Sequence, residues 1–443
     1  LKRLVYVGLR LFSALQHFLR ERLTSAGWLA FGAAATAAAV GIDTSRTMSY
    51  QAFAFLAALL VVAFVVAPFF RARVAVRREL PRYATAGQAF EYRVTLENLG
   101  ARPLSGVTVV EALRDPRPRY DEWRAAREPG EERRNWFDRN QGYFRWRWLI
   151  ERRTPETPRE QPLGPLAPGA RAALKLSLKP RRRGRIELAG VTLARTDPLG
   201  LARGIARVAA QGSVIALPKR YRLPALALPG RRRFQQGGVT LATSVGDSEE
   251  FIGLRAYRPG DPLQKIDWKS TARAGTPIVK EYQDEFYERH ALILDTSSAR
   301  GEDACFEEAV AVAASFVYAI DTRECLLDLL FVGGEVRTYT AGRGQMQIEH
   351  MLEVLAGVAP SPPHEFERLS RAVLGQRGAL SSGIAVLLGW DAARRAFVEA
   401  LARSRLEVRA LLVCGRDAVP ESLPSNVVAL HPGEVEPGLA RLR

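Results

Sequence analysis

The chain has 443 residues, 47% of them hydrophobic, and Lys plus Arg outnumber Asp plus Glu by 64 to 47, for a net charge of +17. That length allows two or three domains with real cores, and the positive balance suits an anionic surface: lipid headgroups, nucleic acid or an acidic partner. Three scattered cysteines, Cys305, Cys325 and Cys414, exclude a disulfide framework and a zinc site, and read as small buried hydrophobes in a reducing compartment.

Residues 1–73 read as a membrane segment. Leu4, Val7, Leu11, Leu15 and Phe18 recur at helical spacing among basic residues, the pattern of a helix lying in the membrane interface. Residues 23–42 and 48–70 contain no charge. Spanning a hydrocarbon core of about 30 Å takes roughly 20 apolar residues, so both stretches qualify as transmembrane helices joined by the short loop 43–47. Lys2, Arg3, Arg10, Arg20 and Arg22 precede the pair, and Arg71, Arg73, Arg77 and Arg78 follow it, against Arg46 alone in the loop. Basic flanks stay in the cytoplasm. The expectation is a multi-pass protein of the cell (inner or plasma) membrane, with the lipid bilayer as one partner and its soluble body cytoplasmic.

Residues 74–220 change to period 2. Tyr92, Val94 and Leu96 alternate with Arg93 and Thr95; Leu174, Leu176 and Leu178 alternate with Lys175 and Ser177. Short alternating runs broken by Gly, Pro and Asn predict an antiparallel β-sandwich. An insertion at 115–162 is rich in Arg and aromatics, as in Tyr143-Phe-Arg-Trp-Arg-Trp148. Such interleaving can stack bases and neutralise phosphates. With the membrane so near and no nucleic-acid motif present, it reads as an exposed hairpin whose aromatics face the sandwich or dip toward headgroups. Nucleic acid is not the expected partner.

Residues 221–289 form a linker and a motif-bearing segment, and 290–443 read as α/β. Ala291–Asp295 is a buried parallel strand, and Phe306, Val310, Ala313 and Val317 mark the helix after it. Strands follow at 326–332, 336–339, 384–388 and 408–413, with helices at 346–355, 366–374 and 392–401. In such folds, sites lie at the carboxyl ends of strands.

One stretch carries more than periodicity. Glu250, Phe251, Leu254, Arg255, Tyr257, Gly260, Asp261, Asp267, Trp268, Arg273 and Glu281 fall in the order and spacing of a family signature, and Asp197-Pro-Leu-Gly-Leu201 forms a second element. The chain resembles, over residues 74–415, the domain-of-unknown-function 58 family of bacterial proteins. That resemblance implies a C-terminal von Willebrand A-like (Rossmann-like) domain. It also implies partnership with a MoxR-type AAA+ ATPase in assembling or maturing client proteins. Arg255 and Arg273 are expected to pair with Asp261 and Asp267, and Trp268 to anchor the segment in the core.

The same resemblance implies a Mg²⁺ site after the first α/β strand. Asp295 and Ser297 match the ligand pattern, Ala299 replaces a serine, the loop Ala359-Pro-Ser-Pro-Pro-His364 lacks the usual Thr, and Asp391 stands for the late acidic ligand. Hydroxyls and carboxylates at strand ends suit a hard cation. No nucleophile–base pair is evident and the five histidines include no clustered pair. The leading reading is a non-enzymatic adaptor. The alternatives are a metal-dependent hydrolase using Asp295, Asp261 and Asp267, and a nucleic-acid-binding protein.

Overall fold

The computed structural model describes residues 2–40, 47–156, 160–224, 250–261, 263–283, 288–298, 304–320, 325–342, 345–404, 406–420 and 422–442. Most of the hairpin loop read at 43–47 lies outside them. The chain divides into two compact units, Leu1–Arg220 with Leu352–Val358, and Tyr221–Met351 with Ala359–Arg443.

The first unit opens with helices α1 (Lys2–Arg22), α2 (Ser25–Val40) and α3 (Thr47–Val66). Along α1, Leu4, Leu11, Leu15 and Phe18 are exposed while Tyr6 is buried. Met48–Phe69 is long and apolar enough to cross a membrane; Ser25–Val40, at 16 residues, is shorter than the predicted span. The two apolar helices bury Ala34 and Leu60 against each other and leave Leu29, Phe55, Val61 and Val65 facing outward.

Eight strands follow: β1 (Val74–Glu79), β2 (Tyr83–Thr85), β3 (Phe90–Asn98), β4 (Val107–Leu113), β5 (Gln161–Leu163), β6 (Arg171–Leu178), β7 (Gly184–Thr196) and β8 (Arg203–Leu217). They form two sheets, β1-β3-β6 and β2-β8-β7-β4-β5. The pairs are antiparallel apart from β2 with β8. The alternation explains the core. Tyr92, Val94 and Leu96 of one sheet and Val107, Val109, Val191 and Leu193 of the other belong to one apolar cluster, with Arg93 and Thr95 of β3 turned out and Thr192 of β7 buried.

The Asp197–Leu201 element has a clear physical task in this unit. Asp197 accepts from the backbone N–H of Ala202 (2.7 Å) and Leu199 (3.2 Å), fixing a turn whose carbonyls face the start of α2. Thr24 donates its hydroxyl to the Gly200 carbonyl (2.6 Å), and its N–H to that of Leu201 (3.1 Å). The same hydroxyl accepts from Gly27 N–H (3.0 Å) and so caps α2. A Cβ on Gly27 would lie 2.1 Å from the Leu201 carbonyl, so only glycine permits this approach.

The insertion is helical, which corrects the predicted hairpin. It holds α4 (Tyr120–Ala125), α5 (Trp136–Gln141) and α6 (Tyr143–Arg153). The Arg–aromatic alternation mimics a strand, but Trp146 and Leu149 share a helical face and bury it against Tyr6 and Trp123. Tyr6 packs edge-on to Trp146 at 5.5 Å and donates its hydroxyl to the Pro118 carbonyl at 3.1 Å.

The second unit runs β9 (Glu250–Ala256), α7 (Trp268–Ala274), β10 (Ile278–Gln283), β11 (Glu288–Leu294), α8 (Ala304–Ala319), β12 (Cys325–Gly333), β13 (Glu335–Ala341), α9 (Gln345–Gly357, counted with the first unit from Leu352 on), α10 (Phe366–Gln376), β14 (Ser382–Leu387), α11 (Ala392–Arg403), β15 (Glu407–Val413), β16 (Val427–Leu430) and α12 (Val435–Leu439). Its main sheet has the order β13-β12-β11-β14-β15-β16, parallel except for the β12–β13 hairpin. Phe306, Val310, Ala313 and Val317 of α8 are all buried, as their spacing predicts. Phe366 and Leu369 of α10 and Phe397 and Leu401 of α11 join Ile293, Ala385 and Leu412 of the sheet in one cluster. The last strand and helix carry no strong periodic signal; they lie within the predicted 290–443 domain and add to it elements beyond the strand read at 408–413.

Candidate functional site

The strand order reverses at β11 and β14, whose carboxyl ends flank the crevice where parallel α/β sheets place ligands. Asp295 follows β11 there and is fully buried. Its Oδ1 accepts from Ser297 N–H (2.9 Å), and its Oδ2 from Leu388 N–H (3.0 Å) and from Arg394 Nε (2.7 Å). Burial pushes its pKa up, against the pull of Arg394 and the two backbone donors. Arg394 is the residue that sequence reasoning missed. Its Nη1 contacts the Asp391 carboxylate, its Nη2 donates to the Ser297 carbonyl (2.9 Å), and its guanidinium lies 4.6 Å from the Phe366 ring centre. The available signal was local: Asp391 N-caps α11 by accepting from Arg394 N–H (2.9 Å), and the two stand three apart on its first turn.

Three hydroxyls complete the cluster. Thr296 donates to the Val332 carbonyl (2.7 Å) and lies 3.1 Å from the Ser361 hydroxyl, which is 3.3 Å from that of Ser297. The loop that the resemblance expects to bring Thr brings Ser361 instead, held by the isolated bridge Ser297–Ser361. Ala299 lies outside the described residues. The implied Mg²⁺ ligands Asp295, Ser297 and Asp391 therefore meet around one side chain, but a guanidinium holds both carboxylates. As it stands this geometry does not fit a hard divalent cation, which needs those oxygens open. Among the described residues no three His, Cys, Asp or Glu side chains gather into a metal-binding group.

The signature segment folds as a small hairpin with a helical crossover, β9 pairing antiparallel with β10. Arg255 grips Asp261 with both terminal nitrogens (2.7 and 2.8 Å), and Arg258 N–H adds a third bond (2.8 Å). These hold the Asp261 pKa down at about 2. Gly260, at φ +109°, makes the turn that allows the grip. Asp267 occupies the N-cap position of α7 and accepts from Ser270 Oγ (2.9 Å), so its side-chain partner is that hydroxyl, where Arg273 was expected. Tyr257 N–H donates to the Pro277 carbonyl (2.9 Å). Trp268 corrects the sequence reading outright: it is 69% exposed, as are Leu263 at 67% and Leu254 at 45%. The side chains of Glu250, Phe251 and Glu281 lie outside the described residues. The carboxylates proposed for a hydrolase thus have separate partners: Arg394 for Asp295, Arg255 for Asp261, Ser270 for Asp267.

Residues 253–425 match the family described as "Protein of unknown function DUF58". "Uncharacterized protein YeaD" of Bacillus subtilis (strain 168) is 27% identical over 159 residues, 35% of this chain and 39% of that one. "Uncharacterized protein Rv1480" of Mycobacterium tuberculosis (strain ATCC 25618 / H37Rv) is 29% identical over 130 residues, 28% of this chain and 41% of that one. The matches thus span about two-fifths of the length of these curated relatives. Among solved structures, the CARDB domain of PF1109 from Pyrococcus furiosus aligns with 32% of this chain and 94% of its own at 12% identity. Its TM-score of 0.16 is too low to carry a fold argument.

Proposed function

Because residues 253–425 belong to the DUF58 family, we propose that this chain is a membrane-anchored interaction protein, an adaptor that works with a MoxR-type AAA+ ATPase on client proteins. The observation that carries the reading is the exposure of Trp268 on the signature segment. A large aromatic held in solvent by a short capped helix contributes little to folding, whereas Trp is the residue type most enriched where binding energy concentrates. Leu254 and Leu263 add exposed apolar surface to the same segment. The strand order around β11 and β14 supports a von Willebrand A-like domain, and the closed Asp295–Arg394 pair favours binding over hydrolysis.

The anchor is a helical hairpin of α2 and α3. Its support is physical: the outward faces of both helices are apolar, as lipid requires and water does not favour. Arg71, Arg73 and Arg77 remain exposed beyond α3 and favour a cytoplasmic body. Arg78, counted in that flank from sequence, is buried inside the β domain instead.

The test is a pull-down of the full chain from crosslinked membranes. An AAA+ ATPase should co-purify with the natural chain and be lost with Trp268→Ala. Failure of any such ATPase to co-purify would sink the adaptor reading. Reporters active on one side of the membrane, fused after Arg443, test the topology separately; activity of the outside reporter alone would overturn the hairpin.

A further inference from the structure

The short helix of the signature segment is held to its hairpin from one side only. Thr271 Oγ1 accepts from Ile278 N–H at 3.0 Å, and Asp267 N–H donates to the Ile278 carbonyl at 2.9 Å, so the Thr271 side of α7 lies toward β10. At about 100° per residue, Trp268, Ala272, Lys269 and Arg273 fall in that order on an arc about 140° wide, turned away from Thr271. All four are exposed. The expected Arg273–Asp267 pair is not made. Asp267 is engaged by Ser270 and Asp261 by Arg255, and among the described residues neither Lys269 nor Arg273 meets a carboxylate.

Folding does not explain this face. Lys269 and Arg273 stand four apart, one turn above the other, and like charges at that spacing disfavour a helix. Trp268, 69% exposed, contributes little packing in return. Ala272 follows Trp268 by one turn and is small, so the flank of the ring is open. The same combination recurs on the hairpin, where Leu254 of β9, itself exposed, stands directly opposite Lys280 of β10. An aromatic anchor beside unbalanced cations is the complement of a surface with an apolar side chain among carboxylates: the ring supplies affinity, and the charges select the partner.

We propose that the outer face of α7 docks an acidic segment of a partner protein, with an apolar side chain on the Trp268 ring beside Ala272 and carboxylates on Lys269 and Arg273. That a partner protein exists rests on the adaptor reading above; the acidic character of its docking segment is what this face adds. Other anionic partners fit less well. Single-stranded nucleic acid is held by successive rings along a basic groove, and a helix lying on a membrane needs an apolar stripe over several turns. α7 has one ring and seven residues.

The experiment uses the full chain with fluorinated tryptophan in an uncharged detergent, read by fluorine NMR; Trp268→Phe identifies the Trp268 resonance. The probes are a peptide with a central Leu-Phe pair flanked by Glu, the same peptide with Gln for Glu, short-chain phosphatidylglycerol, and oligouridylate. The Glu peptide should shift the Trp268 resonance saturably, about tenfold tighter than the Gln peptide, with a preference that shrinks as salt rises. Lys269→Gln with Arg273→Gln should bring the two peptides to parity while the other six tryptophan resonances stay in place. Arg395→Gln with Arg441→Gln, which removes two exposed cations elsewhere in the same unit, should leave the preference intact. No saturable shift up to about 1 mM peptide, equal affinity for the two peptides, or a preference that survives the Lys269/Arg273 variant overturns the site. Tighter binding of the lipid or the oligouridylate at Trp268 overturns the assignment to a protein partner. The pull-down separates this face from the adaptor reading. An ATPase recovered equally with the natural chain and the Lys269/Arg273 variant overturns this face and leaves the adaptor standing. Peptide binding as expected with no ATPase recovered supports this face and overturns the choice of ATPase.

Discussion

In both units of this protein an arginine side chain is buried against a carboxylate, and the two pairs differ in what surrounds them. In the first unit Arg78 of β1 reaches Glu111 of β4 on the facing sheet, and Tyr92 donates its hydroxyl to Glu111 at 2.8 Å. Arg78 also donates to the carbonyls of Ala210 and Gly190. Those carbonyls flank a register shift between β7 and β8, where Gly190 comes so close to β8 that a Cβ would lie 2.2 Å from the Val208 carbonyl. The cation therefore satisfies backbone groups that a bulge leaves without ladder partners. Its neighbours are the apolar side chains of two sheets. In the second unit Arg394 meets Asp295 at the ends of parallel strands, among three hydroxyls and a second carboxylate. The same chemistry is an internal strut in one place and a closed pair at the carboxyl ends of parallel strands in the other. What separates them is where each lies on its sheet.

Removing the strut should give the largest effect. Arg78→Ala strands the Glu111 carboxylate and two carbonyls in an apolar interior, and loss of one partner of a buried pair costs about 3–5 kcal/mol. Thermal unfolding should fall accordingly, and Mg²⁺ or Mn²⁺ should restore none of it, because the one carboxylate there balances only half of a divalent charge and the apolar surroundings leave no room for the ion's waters. If the metal raised the midpoint, the contrast between the pairs would collapse.

Arg394→Ala should cost a comparable about 3–5 kcal/mol without metal, for the same reason. Here millimolar Mn²⁺ should recover a measurable part, since the variant opens Asp295, Asp391 and the hydroxyls of Ser297 and Ser361 to a cation. The natural chain should show no such metal-dependent rise. A natural chain that binds Mg²⁺ through Asp295 would show that Arg394 yields to the ion and does not replace it.

Trp268→Ala probes a residue outside both pairs. With most of its surface in water, its truncation should shift stability by about 0.5 kcal/mol or less, while removing from pull-downs the ATPase that the proposed function calls for. A large loss of midpoint would restore the packing role that the sequence suggested.

The smallest effect belongs to Asp261, whose pair with Arg255 is part-buried at the surface. Its carboxyl is depressed from 3.8 to about 2, so its contribution is present above the unfolded value and is lost as pH falls from about 4 toward about 2. Solvent screens this pair, and the effect should be confined to the signature hairpin. Chemical shifts of that hairpin should follow the titration in the natural chain and lose the dependence in Asp261→Asn.

Much of the architecture could be read from periodicity, because burial imposes it directly on the chain. The period-2 run at 92–96, the helical spacing in α8 and the apolar run ending at Asp295 each report one face packed against a core. The Arg255–Asp261 grip was also legible, since a Pro-Gly turn brings two charges six residues apart face to face. Other features depend on residues distant in sequence. Trp146 and Tyr6, separated by the whole of α2 and α3, decide that the insertion is helical, overriding an Arg–aromatic alternation that looks like a strand. Arg78 resembled a membrane flank until β4 placed Glu111 opposite it. Arg394 lies 99 positions from Asp295, and its local pairing with Asp391 does not announce that the guanidinium will also reach the Asp295 carboxylate. The sequence by itself determined which segments are apolar, which alternate and which are charged, because those are properties of neighbours along the chain. Only the tertiary structure decided which charge meets which, because a buried ion pair is chosen by the crossing of strands and helices that the local pattern leaves open.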